Sequence, residues 1–296
     1  MSTVDHNNNN TSTSAACGTG GDDLKTCNGC KLVKYCDASC QKGHWSNQKN
    51  ECKKRAAELH EEALFEQPLS RDECDVCMLT LPINAKEQRY QACCGKLLCL
   101  GCLDAAFSAD DRRLCPFCRT PEAASDGETV ERIKKRADCG DADAIHQLAY
   151  KYHRGTTGMQ QDNDKAMELW LRAGELGCLE AYGSIADSCL NGEGVARDMK
   201  KAKHYYELAA MGGQIDARHN LGVLEAQAGN LERAMKHYMI AAAAGCDDSL
   251  KVVRAAFINR LATKDDFEKA LRAHKEASDE VKSDQREAAA AFYGCN

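Results

Sequence analysis

Fourteen of the chain's 19 cysteines fall between Cys17 and Cys118, and eight of these form Cys-x2-Cys pairs. Nothing else in the 296 residues restricts the fold so strongly. Paired thiols bond to each other, bind a metal or do redox work, and the compartment decides which. The N-terminus "MSTVDHNNNNTSTSAAC" has neither a basic n-region nor an apolar h-region, so it does not read as an export signal. No apolar run approaches the ~18 residues of a membrane span. The expectation is an intracellular protein, cytoplasmic and/or nuclear, with reduced thiols that serve as metal ligands. A thioredoxin-type redox pair would need a βαβ context, which the sequence does not offer.

The second cluster reads Cys74-x2-Cys77, Cys93-Cys94, Cys99-x2-Cys102 and Cys115-x2-Cys118. A tight turn in each Cys-x2-Cys brings two thiolates within bonding reach of one tetrahedral zinc, and eight thiols suffice for two. So short a segment buries too little apolar surface to fold alone, so metal must contribute much of its folding energy. The stretch resembles a RING domain, in which pairs one and three share one zinc and pairs two and four the other. The resemblance implies a first site of Cys74, Cys77, Cys99 and Cys102. The family's second pair is Cys-x-His; here Cys94 stands at the cysteine and Lys96, which cannot ligate when protonated, at the histidine. Cys93 is the nearest substitute, giving Cys93, Cys94, Cys115 and Cys118. The same resemblance implies that Val76, Leu103 and Pro116 face a ubiquitin-conjugating enzyme and that Arg119 positions the attached ubiquitin. Each has a plainer reading too: core for Val76 and Leu103, turn for Pro116, solvated surface for Arg119.

The first cluster, Cys17, Cys27-x2-Cys30, Cys36-x3-Cys40 and Cys52, resembles a MYND zinc finger in its Tyr35-Cys36, its Cys40-Gln41-Lys42, Trp45 and Cys52. Two of the family's ligands are missing, replaced by Ser14 and Gln48. The resemblance implies interleaved sites of Cys17, Cys36, Cys40 and of Cys27, Cys30, Cys52. His44, one helical turn after Cys40, either replaces the ligand missing at Ser14 or is an ordinary surface side chain. It lies roughly 12 Å along a helix from Cys52, too far to serve the other site. MYND fingers bind short proline-containing peptides.

From Ala142 the sequence repeats. Three segments close on Gly177, Gly213 and Gly245, spaced by 36 and then 32 residues, and Ala166, Ala202 and Ala234 keep the same spacing. A period of this size means stacked helical hairpins. Tyr152, Trp170, Tyr205, Tyr206 and Tyr238 read as packing between them. The second unit, with Gly192, Gly194, Val195, Asp198, Lys201, Ala202 and Gly213, resembles the Sel-one-like repeat, a relative of the tetratricopeptide repeat. The third lacks the Gly-x-Gly turn, and Gly229-Asn230 suggests a tighter connection. A degenerate fourth hairpin is expected over residues 249–278.

The fold expected is mainly α, with two cysteine-rich zinc modules followed by an α-solenoid. The map is a disordered tail over 1–16, MYND-like finger 17–52, helical connector 53–73, RING-like module 74–119, linker 120–141, repeats 142–264 and capping helices 265–296. A net charge of −6 with basic runs flanked by acids disfavours nucleic acid as a partner. Expected partners are proteins: a conjugating enzyme and a peptide or protein substrate, with no membrane. Two functions stand side by side, a RING-type ubiquitin ligase and a scaffold that only binds proteins. Lys96 and the missing ligands favour the scaffold; Pro116 and Arg119 favour the ligase.

Overall fold

A computed structural model of the chain describes residues 14–18, 23–66, 72–109 and 112–294. It divides into two compact units, Met1–Glu66 and Gln67–Asn296.

In the first unit, two short antiparallel strands, β1 (Lys25–Thr26) and β2 (Lys34–Tyr35), precede one long helix, α1 (Ala38–Phe65). Asp37 caps that helix by accepting from the Cys40 amide at 2.8 Å. The finger's helix and the expected connector are therefore one element of 28 residues. Its far half is polar and is supported by Arg55, which bonds Glu58 at 3.2 Å and Glu62 at 2.9 Å. Only Gln48, Cys52 and Leu64 of the helix are buried. Of the expected disordered tail, residues 1–13 lie outside the described residues, but Ser14 is 3% exposed and belongs to the finger.

The second unit begins with a small cysteine-rich module. Strands β3 (Gln88–Gln91) and β4 (Lys96–Cys99) pair antiparallel with Gln91 opposite Lys96, and β4 runs directly into α2 (Leu100–Ala109). Its core is Leu81, Leu98, Leu100 and Leu103 packed among cysteines. The expected linker 120–141 contains a helix, α3 (Asp126–Asp138), capped by Ser125. Val130, Ile133 and Ala137 make its buried stripe, and it packs on the first repeat as the solenoid's first layer. A polar composition hid these three residues at helical spacing.

Four hairpins follow: α4 (Ala142–Arg154) with α5 (Asn163–Glu175), α6 (Leu179–Asn191) with α7 (Met199–Met211), α8 (Ile215–Gln227) with α9 (Leu231–Ala243), and α10 (Asp247–Ile258) with α11 (Lys264–Glu280). In the first two, Asp162 and Asp198 cap the second helix, accepting from the amides of Lys165 and Lys201. Ala166, Ala202 and Ala234 are at most 3% exposed, which lets paired helices approach closely. The third hairpin turns through residues 228–230 alone, with the Asn230 amide donating to the Glu225 carbonyl at 2.8 Å. The last helix, α12 (Asp284–Tyr293), does not cap the solenoid as expected. It packs against α2, and Ala289, fully buried, joins the core of the cysteine-rich module.

Candidate metal centres

Three of the four Cys-x2-Cys pairs sit on knuckles closed by the same hydrogen bond; the fourth, Cys99 and Cys102, spans the junction of β4 and α2. The amides of Lys31, Met78 and Arg119 donate to the carbonyls of Cys27, Cys74 and Cys115 at 3.0, 2.8 and 2.9 Å. The closing residue takes a left-handed φ of 56°, 57° and 61° respectively. Two further turns repeat the pattern. Gly18 (φ 72°) donates to Ser14 at 3.0 Å, and Gly95 (φ 74°) donates to Gln91 at 2.7 Å. Gly95 has a second constraint: a Cβ there would lie 2.1 Å from the Arg136 guanidinium. Only glycine meets both conditions.

These knuckles bring fourteen thiols into four groups: Cys74, Cys77, Cys99, Cys102; Cys93, Cys94, Cys115, Cys118; Cys17, Cys36, Cys40; and Cys27, Cys30, Cys52. Within every group all sulfurs lie within 4.8 Å of one another. Separations include Cys77–Cys99 at 3.8 Å, Cys93–Cys118 at 3.4 Å, Cys94–Cys115 at 4.0 Å, Cys17–Cys36 at 3.6 Å and Cys27–Cys52 at 3.7 Å. A disulfide bond is ~2.05 Å. A tetrahedron with metal–sulfur bonds of ~2.3 Å has edges of about 3.8 Å. The donor sets thus fit zinc in size and chemistry. Both adjacent cysteines of the second pair point into the same cluster.

The thiols' acidities reflect this crowding. Hydrogen bonds from the Cys99 thiol and from backbone amides hold Cys74 down at about 4, while Cys99 is pushed far up. A backbone hydrogen bond from Cys30 leads the set that lowers Cys27 to about 7. At Cys118, burial is outweighed by hydrogen bonds from Thr120 and Cys93, giving about 6. Burial raises Cys94 and Cys52 to about 11. Three of the groups thus each contain one thiol more acidic than an ordinary cysteine.

Lys96 turns away from the cluster whose family position it occupies. Its ammonium bonds Asp75 at 2.9 Å and lies 5.4 Å from the centre of the Phe117 ring. It ties the first knuckle to the last. Val76 is 39% exposed, Pro116 is half-buried and Arg119 is exposed. Leu103 is not available to a partner: at 2% exposure it is core.

One participant was invisible in the sequence. Arg286 of α12 is 6% exposed and reaches the first knuckle. Its guanidinium donates to the Thr80 carbonyl at 2.6 Å, the Leu79 carbonyl at 3.2 Å and Cys77 Sγ at 3.3 Å. Outer donors of this kind orient a ligating thiolate. No spacing rule connects residues 209 apart. A second cluster not anticipated, Asp143, Cys178 and Glu180, lies at the starts of α4 and α6, with two of its three groups exposed.

In the finger, His44 joins neither trio. Its Nδ1 is 3.1 Å from the Tyr35 hydroxyl, which also donates to Gln48 Oε1. The substitution of His44 for the ligand absent at Ser14 is therefore corrected: Tyr35 holds the ring elsewhere. Gln48 is 7% exposed and its amide nitrogen lies 3.2 Å from Cys30 Sγ. In the repeats, His146 meets Ser184 at 3.2 Å and His219 meets Ser249 at 2.8 Å, so both are packing residues. Among the described residues no helix is long and apolar enough to cross a membrane.

Comparison with known proteins agrees with these parts. Residues 15–52 match the model of the MYND finger, and residues 142–178, 180–214 and 215–246 match that of the Sel1 repeat. The chain thus carries a MYND finger and three Sel1 repeats, a protein-interaction architecture. An Arabidopsis thaliana protein, "ERAD-associated E3 ubiquitin-protein ligase component HRD3B", is 26% identical over 111 residues, 37% of this chain. The chain spans only 17% of that relative's length. The crystal structure of a Sel1 repeat protein from Oxalobacter formigenes is 29% identical, covering 51% of this chain and 64% of that one, with a TM-score of 0.46. A protective antigen of uropathogenic Escherichia coli displaying an SLR fold is 28% identical, covering 52% and 33%, with a TM-score of 0.44.

Proposed function

We propose that this chain, with its MYND finger and three Sel1 repeats, is a zinc-binding interaction protein working as a RING-type ubiquitin ligase. The observation that carries the reading is the interleaving of thiols in the second unit. Pairs one and three share one group and pairs two and four the other. Zinc, when bound by those eight thiols and by the finger's six, would supply folding energy and no chemistry. Catalysis would be positioning alone. Val76 and Pro116 would meet the conjugating enzyme. Arg119, exposed on the last knuckle, would bridge it to ubiquitin through its planar fork of donors. The repeats and the finger would hold a peptide or protein substrate. The plant relative's name, a component of a ubiquitin ligase, is in keeping with this.

The burial of Leu103 and the packing of α12 on α2 favour a second reading, a scaffold that only binds proteins. Ubiquitin discharge from a panel of conjugating enzymes by the full chain separates the two. A ligase discharges ubiquitin, and Arg119→Ala lowers the rate about tenfold, ~1.4 kcal/mol, with zinc content and melting temperature unchanged. Cys74→Ser abolishes discharge and loses metal. Wild type inactive with every enzyme leaves the scaffold. Discharge that survives Arg119→Ala removes the positioning role while the ligase stands.

A further inference from the structure

Each of the finger's trios offers three thiols, whereas a structural zinc takes four ligands. Among the described residues no further Cys, His, Asp or Glu joins either trio. Each nevertheless has a buried oxygen-bearing side chain at the sequence position where the MYND pattern has its missing ligand.

In one trio this is Ser14. It opens a knuckle closed, like those of Cys27, Cys74 and Cys115, by an amide donating back to its carbonyl, here Gly18 at 3.0 Å. In those three the opening residue supplies a grouped thiol. Ser14 is 3% exposed and its hydroxyl has no hydrogen-bond partner. An unsatisfied buried hydroxyl costs about 1–3 kcal/mol, so the turn places it there against its own solvation.

In the other trio it is Gln48. On α1 it lies one turn before Cys52, on the same face. Its amide nitrogen is 3.2 Å from Cys30 Sγ, and its oxygen accepts from Tyr35. The two ends of a side-chain amide exchange places by rotation about the last bond. With a cation among the thiolates, the carbonyl oxygen turns inward and the NH2 group donates to the Tyr35 oxygen. The Tyr35 hydroxyl then donates to His44 Nδ1, 3.1 Å away, with the imidazole proton carried on Nε2. Every group keeps a partner, so the Tyr35–His44 pair can hold Gln48 in either orientation.

We infer that the finger's two metal centres are completed by oxygen donors, the Ser14 hydroxyl in one and the Gln48 carbonyl in the other, and that its zinc is consequently exchangeable. The inference rests on the zinc-binding reading. A neutral oxygen is a poorer zinc donor here than thiolate or imidazole, because it adds neither charge nor softness to the site. The all-thiol groups of the second unit suffer no such loss. The chain would then hold two classes of zinc: two ions bound firmly and two in equilibrium with the surrounding free metal and with competing chelators.

Competitive chelator titration of the full-length, zinc-loaded protein tests this. With four thiol groups, four ions are expected, two released at free-zinc levels at least about 10-fold higher than the rest, since loss of an outer partner alone costs that much. Ser14→Cys and Gln48→His should each move one ion from the weak class to the firm class, a gain that misfolding cannot imitate. Ser14→Ala and Gln48→Leu should each lose one weak ion while the helical circular dichroism signal is kept. Four ions of a single class, a finger that binds none, or a weak class indifferent to both pairs of variants would overturn the inference with the zinc reading intact. A full chain that binds no zinc at all would instead remove the zinc reading beneath it.

Discussion

Cys93 and Cys94 are adjacent, yet both thiols reach one cluster, at 3.4 Å from Cys118 and 4.0 Å from Cys115. The turn from Gln91 to Gly95 allows this by using two consecutive side chains where the other knuckles use residues three apart. Cys93→Ser and Cys94→Ser should therefore each cost the full chain one firmly bound zinc, counted by atomic absorption after dialysis. A silent Cys93→Ser would leave Cys94 as that pair's single ligand. A second residue-scale prediction concerns Glu225, 1% exposed in α8. Burial alone would raise its pKa. Hydrogen bonds from Lys203 and Asn230, with the charges of Lys203 and Arg233, reverse that and hold it at about 2 against 4.5. A lowered carboxyl stabilises above its unfolded pKa and loses that contribution as pH falls toward the folded value. Between pH 5 and pH 2 the third hairpin should lose on the order of 3 kcal/mol from this group. The melting temperature of Glu225→Gln should lack that component of the acid-induced fall. The grouping of the thiols was legible because a knuckle is local: its spacing is its geometry. The fates of Lys96 and His44 were not, because Asp75 and Tyr35 claim them through contacts that no spacing encodes.

Among the elements, the repeat helices were readable from alanine and glycine recurring in phase, since one packing solution is used again and again. The helix α3 escaped because three apolar residues in a charged segment leave a weak period. The role of α12 escaped because an alanine-rich terminal helix looks the same whether it caps a solenoid or docks on another module. Its docking can be tested through Gly101, where a Cβ would lie 2.9 Å from the Arg286 backbone nitrogen. Gly101→Leu should expel α12 and raise amide exchange throughout 284–293, with α4 to α11 unaffected. Arg286→Ala should do so more mildly, and should loosen the first zinc group by removing the donor to Cys77. Unchanged exchange in both variants would mean that α12 is held by something other than these contacts.

At the scale of the second unit, two kinds of stability are joined. The solenoid buries a continuous core of its own, while the cysteine-rich module has a handful of leucines and its thiols. A strong chelator should therefore unfold the module and release α12 while most of the helical signal persists; loss of the whole signal would show that the repeats depend on metal. The module is tied to the repeats at its other side as well. The Tyr90 hydroxyl and Arg136 Nε both bond Asp141, at 3.1 and 2.7 Å, where α3 meets α4.

The Arg286 contact also sets an order of events in time. Thr80 and Arg286 are 206 residues apart, so a ribosome adding 5–20 residues per second needs about 10–40 s to travel between them. For that interval the carbonyls of Leu79 and Thr80 and the Cys77 sulfur are already made while the arginine that holds them is not. The module synthesised early is thus finished last. A chain stopped just before Arg286 would carry the repeats and all fourteen grouped thiols, but a first knuckle without its outer arginine.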